Sequence, residues 1–193
     1  RQRQMCIRDR FIVYMIRIVG GSLKGRTIHT PKTHLTRPGT ELLRKAVFDI
    51  CRNEIEGANF LDLFAGSGAF GIEAISRGAT HSTFVDKGKA AIACIKKNIF
   101  ALKLEGQTTV FSTTYEYWYK KNTTLFDIAY ASPPYPEMYL YKKLLEDFFN
   151  KPYAKIFYVE SAKKLILPES TVETEMRLRR YGDSYLYSFS LVQ

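Results

Sequence analysis

Residues 60–71 read Phe-Leu-Asp-Leu-Phe-Ala-Gly-Ser-Gly-Ala-Phe-Gly, and this stretch decides the fold. An apolar run ends in the pattern Gly66-x-Gly68-x-x-Gly71, and apolar residues at helical spacing follow it. This order predicts a strand, a tight glycine turn and a helix, as at the start of a Rossmann-like unit. Glycine suits the turn because a Cβ would block positive φ and keep a ligand away from the backbone. The free N–H groups at the start of the helix then favour a phosphate or nucleotide ligand.

Strands and helices alternate along the rest of the chain, which predicts a mostly parallel sheet with helices on both faces. The tail alternates apolar and polar residues on either side of Tyr181-Gly182-Asp183, which predicts a closing hairpin. Near the N-terminus, residues 16–28 predict two short strands around a glycine-bearing turn, and a helix begins near Thr40. The further strands are predicted at 83–85, 110–111, 126–130 and 156–159, and the further helices at 88–102 and 139–149.

Composition and charge limit the class of protein. With 46% hydrophobic and 25% charged residues, the chain is typical of a globular domain rather than a disordered one. No apolar run reaches the roughly 18 residues of a membrane span, so we expect no membrane partner. The three cysteines lack metal-ligand spacing, so we expect no metal site and a reducing, cytoplasmic location. The net charge of +10 favours a large anionic partner such as a nucleic acid.

Two aspartates at strand ends indicate which nucleotide the glycine turn binds. Asp86 ends the second strand, 20 residues after Gly66, where a carboxylate commonly accepts hydrogen bonds from ribose hydroxyls. Asp62 lies inside the end of the first strand, where a dinucleotide-binding fingerprint needs no carboxylate. A cofactor with a free amino group and a sulfonium does need a carboxylate at this position, because both of its groups are cationic. Asp62 therefore favours S-adenosylmethionine over NAD, and it can also accept hydrogen bonds from backbone N–H groups of the turn.

A second motif, Ser132-Pro133-Pro134-Tyr135, follows the predicted strand at 126–130. The two prolines fix φ and remove two N–H donors, which leaves carbonyls that can only accept hydrogen bonds. A rigid acceptor, a side-chain oxygen and an aromatic ring together suit a planar base that carries an exocyclic amine. The ring would stack on the base while the oxygens accept from the amine. We therefore expect a flipped or single-stranded base as the substrate.

Together these motifs resemble the class I S-adenosylmethionine-dependent amino-methyltransferases, whose motif IV reads Asp/Asn/Ser-Pro-Pro-Tyr/Phe. From about Met15 to its end, the chain more closely resembles the RsmD family, the bacterial 16S rRNA guanine-N2 methyltransferases. The resemblance implies a seven-stranded, mostly parallel Rossmann-like sheet with a small N-terminal β-hairpin extension. The matching segments are Arg17-Ile18-Val19-Gly20-Gly21, Lys24-Gly25-Arg26, Arg37-Pro38-Gly39, Arg44-Lys45-Ala46-Val47-Phe48, Leu61 to Gly68 and Tyr181-Gly182.

The resemblance also implies a division of the chain and a partner. Residues 1–14 show no regular pattern and are interpreted as a leader foreign to the domain. Residues 15–55 form an RNA-contacting extension, and residues 56–193 form the S-adenosylmethionine-dependent methyltransferase domain. The expected partner is 16S rRNA within the 30S subunit or a late assembly intermediate, bound by a monomer.

Each group of site residues receives a role from the resemblance. The motif Ser132, Pro133, Pro134 and Tyr135 would hold the target amine and catalyse its methylation. The expected cofactor-binding residues are Asp62, Phe64, Ala65, Gly66, Ser67, Gly68, Gly71, Asp86, Lys87 and Thr114. The expected RNA-binding residues are Arg17, Lys24, Arg26, Arg37 and Arg44.

Departures from the family pattern leave alternative functions open. Family members usually carry Asp where Ser132 stands, and cytosine-N4 DNA methyltransferases share the serine. Methylation of another exocyclic amine, cytosine N4 or adenine N6, is therefore one alternative. A degenerate homologue that binds cofactor without turnover is another, favoured by Ser132, by Lys45 in place of Glu and by Thr114 where an Asp is usual. A third alternative is an NAD-dependent oxidoreductase. Only the glycine pattern supports this interpretation, and it leaves the Pro-Pro motif and the basic N-terminus unexplained.

Overall fold

A computed structural model describes residues 15–31 and 39–192 of the chain. The leader at 1–14 and the basic residue Arg37 lie outside the described residues. The described strands are β1 (Met15–Arg17), β2 (Thr27–His29), β3 (Asn59–Leu63), β4 (His81–Asp86), β5 (Thr108–Ser112), β6 (Phe126–Ala131), β7 (Ala154–Ser161), β8 (Thr174–Tyr181) and β9 (Ser184–Leu191). The described helices are α1 (Gly39–Ile50), α2 (Ala69–Ser76), α3 (Lys89–Leu102), α4 (Tyr115–Lys121) and α5 (Met138–Asn150).

The main sheet has the strand order β5-β4-β3-β6-β7-β9-β8, and β1 pairs with β2 in a separate antiparallel sheet. Strands β3 to β7 are parallel to one another, whereas β9 runs antiparallel to both β7 and β8. This confirms the predicted fold class, including the N-terminal strand pair and the closing hairpin. The strand order reverses between β3 and β6, and such a switch point is where ligands bind in open α/β sheets.

Alternate residues of β3 pack against helices on opposite faces of the sheet. Leu61 and Leu63 belong to an apolar cluster with α4 and α5, whereas Phe60 packs on the other face against α1 and α2. Helix α3 covers β4 on that same face, together with the N-terminal strands. Because both faces are covered, β3 is apolar at every position but Asn59 and Asp62. Among the described helices, none combines the length and apolar character that a membrane span requires.

Helix α4 is absent from the sequence-based prediction. Its sequence, Tyr-Glu-Tyr-Trp-Tyr-Lys-Lys, is short and aromatic, and aromatic residues are weak helix formers. Tertiary packing stabilises it instead, because Tyr115 and Trp118 are buried in the core on this face of the sheet. Thr114 caps the helix by accepting a hydrogen bond from the Tyr117 N–H at 3.3 Å, and this capping residue was the one local signal available.

A buried ion cluster attaches the N-terminal segment to α2. The carboxylate of Glu73 accepts hydrogen bonds from the Val19 N–H at 3.0 Å and from the Arg77 Nε at 2.8 Å. Arg44 Nε lies 3.4 Å from the same carboxylate, and its guanidinium also donates to the Arg17 carbonyl at 2.7 Å. Burial lowers the pKa of Arg44, while the neighbouring Glu73 opposes that shift. These contacts fix the first described residues on the surface of the main domain.

The position of Arg44 corrects the prediction that it binds RNA. The residue is only 1% exposed, because α1 points its guanidinium inward to Glu73 rather than outward to solvent. A buried guanidinium needs a paired carboxylate, and Arg44 already has one. The positive charge of Arg44 therefore serves an internal ion pair with Glu73.

The Glu73 cluster predicts an unequal effect of two substitutions. Glu73→Ala removes the partner of a buried guanidinium, so we expect the free energy of unfolding to fall by about 3–5 kcal/mol. Asp49→Ala is the matched control, because Asp49 pairs with Arg77 at 3.5 Å but its side chain is 56% exposed. We expect a loss below about 1 kcal/mol for this control. Urea unfolding measures both, and equal losses would contradict the structural role given to the cluster.

Candidate active site

A cavity of 870 Å³ opens at the carboxyl ends of β3, β4 and β6, at the switch point of the sheet. Its volume lies in the range of about 300–1,000 Å³ that is usual for small-molecule sites. The structure thus brings together most of the residues that the sequence assigned to the cofactor and the base. The predicted residues that line the cavity are Asp62, Phe64, Ala65, Gly66, Ser67, Asp86, Lys87, Thr114, Ser132, Pro133, Pro134 and Tyr135.

The glycine turn has the tight geometry that its sequence predicts. Gly66 and Gly68 have φ values of +57° and +78°, which favour residues without a Cβ. Gly71 serves close packing, since an added Cβ would lie 2.3 Å from the Phe84 ring and 2.6 Å from the Ser82 hydroxyl. Gly68 and Gly71 themselves do not line the cavity. They shape the turn and bring α2 close to β4 from behind the cavity wall.

Asp62 is the most deeply buried acidic residue at the cavity wall. It is 2% exposed, and its Oδ2 accepts a hydrogen bond from the Gly71 N–H at 2.9 Å. Burial raises the pKa of Asp62 well above its ordinary value, and the nearby Asp86 charge acts in the same direction. The Gly71 hydrogen bond opposes this shift. A cationic ligand beside Asp62 would favour its ionised form.

Asp86 connects the glycine turn to the start of α3. Its Oδ2 accepts from the Gly66 N–H at 2.9 Å, and its Oδ1 accepts from the Gly88 N–H at 2.7 Å. Each carboxylate oxygen has a second lone pair, so these two bonds leave acceptor capacity for a ligand hydroxyl. The next residue, Lys87, extends to Glu137 at 3.9 Å across the cavity rim. Asp86 thus shapes the turn and borders the cavity with the same side chain.

The Pro-Pro motif follows β6 directly and forms the opposite wall of the cavity. The Pro133 carbonyl already accepts a hydrogen bond from the Tyr141 hydroxyl at 3.0 Å, which leaves one of its two lone pairs. Pro134 is exposed, and the ring of Tyr135 is half-buried. The expected set of an acceptor carbonyl, a side-chain oxygen and an aromatic ring is therefore present at one cavity wall.

Glu160, at the end of β7, is a site residue that sequence reasoning missed. It is 4% exposed and lines the same cavity. Its Oε2 accepts from Tyr130 OH at 2.7 Å and from Ser132 Oγ at 3.1 Å, and its Oε1 accepts from Tyr135 OH at 2.8 Å and from Ser184 Oγ at 2.9 Å. A carboxylate at the end of an apolar strand was the available signal, because strand ends in such sheets meet at the ligand site.

The described members of the predicted RNA-binding set do not gather at the cavity. Arg17, Lys24 and Arg26 are exposed on the N-terminal segment, and none of them lines the cavity. Arg44 borders the cavity, but its guanidinium is buried in the Glu73 cluster. In the part of the chain that the structure describes, no group of three or more His, Cys, Asp or Glu side chains could hold a metal ion.

The switch-point cavity, the glycine turn with its two aspartates and the Pro-Pro wall define the class of protein. The chain is a class I S-adenosylmethionine-dependent methyltransferase. More narrowly, it belongs to the RsmD family, whose model, described as "Conserved hypothetical protein 95", matches residues 16–190.

Two curated relatives illustrate this membership. The chain is 33% identical over 177 residues to "Ribosomal RNA small subunit methyltransferase D" of Buchnera aphidicola subsp. Acyrthosiphon pisum, covering 89% of this chain and 92% of the relative. It is 34% identical over 167 residues to the protein of the same name from Escherichia coli strain K12. That alignment covers 86% of this chain and 83% of the relative.

Two solved structures share the fold of this chain. The solved structure of yhhF from Escherichia coli gives a TM-score of 0.81 at 28% identity. The alignment covers 93% of this chain and 100% of that chain. SMU.776, solved in complex with SAH, gives a TM-score of 0.65 at 15% identity, covering 86% of this chain and 54% of that one. At that identity the likeness concerns the fold alone.

The close packing at Gly71 predicts a sharp difference between two glycines. In Gly71→Ala the new Cβ would overlap the Phe84 ring, so we expect a loss of about 1–3 kcal/mol of folding free energy. Gly106→Ala is the control, because a Cβ there meets nothing within 4 Å. We expect its free energy of unfolding to stay within about 0.5 kcal/mol of wild type. Thermal and urea unfolding of both variants measure the difference, and an unchanged Gly71→Ala protein would overturn this role.

Proposed function

We propose that this protein methylates the exocyclic N2 amine of a guanine in 16S rRNA, within the 30S subunit or a late assembly intermediate. The observation that carries the proposal is one cavity bounded by the glycine turn on one side and by Ser132 to Tyr135 on the other. A methyl donor and an amine-bearing base would therefore meet at the switch point. Relatives named as small-subunit rRNA methyltransferases support an rRNA substrate.

The cofactor half of the cavity fits S-adenosylmethionine. When bound, this cofactor would supply a methyl group: an N–C bond to the amine would form as the S–C bond breaks, and the sulfur would leave as a neutral thioether with that bond's electron pair. Asp62, a buried carboxylate with a raised pKa, would attract the cationic amino and sulfonium groups. Asp86 would accept hydrogen bonds from the ribose hydroxyls. It would use the carboxylate lone pairs that its bonds to the Gly66 and Gly88 N–H groups leave free. The other residues proposed for this half are Phe64, Ala65, Ser67, Lys87 and Thr114, which line the cavity, with Gly68 and Gly71 shaping the turn.

The base half of the cavity would orient a weak nucleophile. The lone pair of the guanine N2 amine is delocalised into the ring, so the amine reacts only when it is held toward tetrahedral geometry. Ser132 Oγ and the remaining lone pair of the Pro133 carbonyl would accept its two hydrogens, and Tyr135 would stack on the base. Orientation of two reactants can contribute about 7–11 kcal/mol to a rate, so no strong base is required. The nitrogen loses its proton only after it has become cationic.

Exposed basic residues of the N-terminal segment would bind the RNA backbone. Arg17, Lys24 and Arg26 are exposed, and Arg37 belongs to the same proposed group by sequence. Phosphate contacts of this kind position a protein on RNA, while the flipped base carries sequence identity. The net charge of +10 supports this electrostatic role. An rRNA substrate also implies action in the cytoplasm, and we propose that the protein acts as a monomer.

Identification of the methylated nucleoside tests the proposed function. The protein is incubated with tritiated S-adenosylmethionine and under-methylated 30S particles, free 16S rRNA or DNA, and the product is digested to nucleosides. We expect N2-methylguanosine from the 30S particles, because the family resemblance covers both the site and the N-terminal extension. The Asp62→Asn variant under the same conditions is the negative control for cofactor-dependent incorporation.

Two other outcomes would contradict the proposal in different ways. A methylcytosine or methyladenine product would identify Ser132 as the mark of a different exocyclic-amine substrate. No product, with cofactor binding intact by calorimetry, would indicate a homologue that binds without turnover.

The raised pKa of Asp62 predicts that cofactor affinity depends on pH. A cation bound beside Asp62 lowers its pKa again, so binding releases a proton wherever the free protein holds Asp62 protonated. Affinity therefore rises with pH through the raised pKa of Asp62 and falls as the pH is lowered below it. We expect Asp62→Asn to bind S-adenosylmethionine about 10- to 100-fold more weakly at high pH, with this dependence abolished.

Calorimetry between pH 5 and pH 9 measures this effect. Asp127→Asn is the control, since Asp127 lies outside the cavity, where it bonds the Asn59 N–H and the Lys155 ammonium. We expect this control to retain the wild-type affinity at each pH. An Asp62→Asn protein with wild-type affinity and pH dependence would remove Asp62 from the cofactor site.

A further inference from the structure

Four hydroxyl groups converge on the Glu160 carboxylate. Tyr130, Ser132 and Tyr135 line the cavity, whereas Ser184, at the start of β9, lies outside its lining. Their oxygen atoms lie between 2.7 and 3.1 Å from the two carboxylate oxygens. An ionised carboxylate accepts about four hydrogen bonds and donates none. Glu160 therefore uses its acceptor capacity on these hydroxyls and holds their hydrogens away from the cavity.

The consequence is that the polar groups around Glu160 face the cavity as acceptors. Each hydroxyl has one hydrogen and two lone pairs, and the hydrogens of Tyr130, Ser132 and Tyr135 are directed to Glu160. Burial, followed by the Glu160 charge, raises the pKa of Tyr130 well above its ordinary value, so its hydroxyl stays protonated. Phe70 stacks on the Tyr130 ring at 3.6 Å between centroids and 12° between planes, which fixes the ring in place. The Pro133 carbonyl adds a further acceptor that cannot donate.

A wall of acceptors distinguishes the bases that carry an exocyclic amine. In guanine the N2 amine is adjacent to the N1–H, so the edge presents neighbouring donors. In adenine the N6 amine is adjacent to N1, and in cytosine the N4 amine is adjacent to N3, and both ring nitrogens are unprotonated acceptors. An acceptor wall pairs with the guanine edge and places lone pair against lone pair with the other two bases. A buried site built for a substrate N–H strongly rejects analogues that lack it.

We propose that Glu160 is the positioning residue that makes this site specific for guanine, by directing the hydroxyl hydrogens of Ser132, Tyr130 and Tyr135 away from the base. The proposal rests on the proposed function and adds the residue that sets its base specificity. Glu160 would act on the base edge through the lone pairs of Ser132 and Tyr130, and it would hold the hydroxyl of Tyr135, whose ring is proposed to stack on the base. It also explains how a serine can stand where family members carry Asp, since the bond to Glu160 leaves the serine oxygen only as an acceptor toward the substrate.

The test compares guanine with 2-aminopurine at the methylated position. 2-Aminopurine keeps the 2-amine, but its N1 is an unprotonated acceptor. RNase mapping of the labelled rRNA first locates the methylated nucleotide, and the 30S particles are then reconstituted with either base at that position. We expect wild type to favour guanine in kcat/KM by about 100-fold or more. Glu160→Gln brings an N–H donor into the hydroxyl cluster, so a hydroxyl hydrogen can turn toward the base.

For Glu160→Gln we expect kcat on guanine to fall about 30-fold while KM for S-adenosylmethionine stays within about 3-fold of wild type. The preference for guanine over 2-aminopurine should shrink to about 10-fold or less. A merely structural defect would lower the rate on both bases equally and leave this ratio unchanged. The missing O6 of 2-aminopurine affects every variant alike and cancels when the ratios are compared.

Ser188→Ala is the matched control. It removes a buried hydroxyl of the same strand as Ser184, but this hydroxyl bonds the Arg177 carbonyl at 3.4 Å rather than Glu160 and lies outside the cavity lining. We expect this control to keep the wild-type ratio of kcat/KM for guanine to kcat/KM for 2-aminopurine. Where Glu160→Gln fails to fold, Tyr130→Phe replaces it, because this variant keeps Glu160 and the ring that stacks on Phe70 but deletes a hydroxyl acceptor that the amine does not use. Its preference for guanine over 2-aminopurine should also shrink.

The outcomes separate the two proposals. If wild type makes N2-methylguanosine and the altered variants keep the wild-type ratio, the role of Glu160 is overturned while the proposed function stands. If wild type methylates cytosine or adenine, or nothing, both proposals fail.

Discussion

The structure depends on the close approach of α2 to β4 behind the glycine turn. A glycine is required at position 71 because the Phe84 ring and the Ser82 hydroxyl occupy the space of a Cβ. The same approach places the Gly71 N–H against the Asp62 carboxylate, so one contact both packs the helix and buries an acidic group. Asp86 attaches the other end of the turn through the Gly66 N–H. The loop at the cavity is thus held by carboxylates from two neighbouring strands.

The two halves of the cavity are built by different physical means. The cofactor half consists of backbone geometry and two carboxylates, one of them with a pKa raised by burial. The base half consists of a rigid Pro-Pro turn and a hydroxyl cluster whose hydrogens are directed to Glu160. In the proposed function, charge would attract a cationic ligand on one side, and hydrogen-bond polarity would select an uncharged base edge on the other. Their meeting point is the strand reversal between β3 and β6.

Local patterns predicted most of the fold and, at the candidate site, the glycine turn, its two aspartates and the Pro-Pro motif. The strand, glycine turn and first helix follow from residues adjacent in sequence, and the closing hairpin follows from alternation around Gly182. Helix α4 was missed because its stability comes from burial of Trp118 rather than from helix propensity. Arg44 was assigned to RNA from its charge alone, and only the fold shows that α1 points it at Glu73. Glu160 was missed because its contacts come from hydroxyls on two other strands and a loop, which no spacing in the sequence relates to one another.

The contact between Ser184 and Glu160 has a consequence for the order in which the protein matures. Strand β9 inserts between β7 and β8, and its first residue donates to the carboxylate of the base half. A chain emerging from the ribosome folds from its N-terminus, so β3, β4, α2 and α3 can assemble the cofactor half early in synthesis. The base half reaches its final arrangement only when the last strand is in place. If this half binds the nucleobase as proposed, a nascent chain would be able to hold the cofactor before it could discriminate among bases.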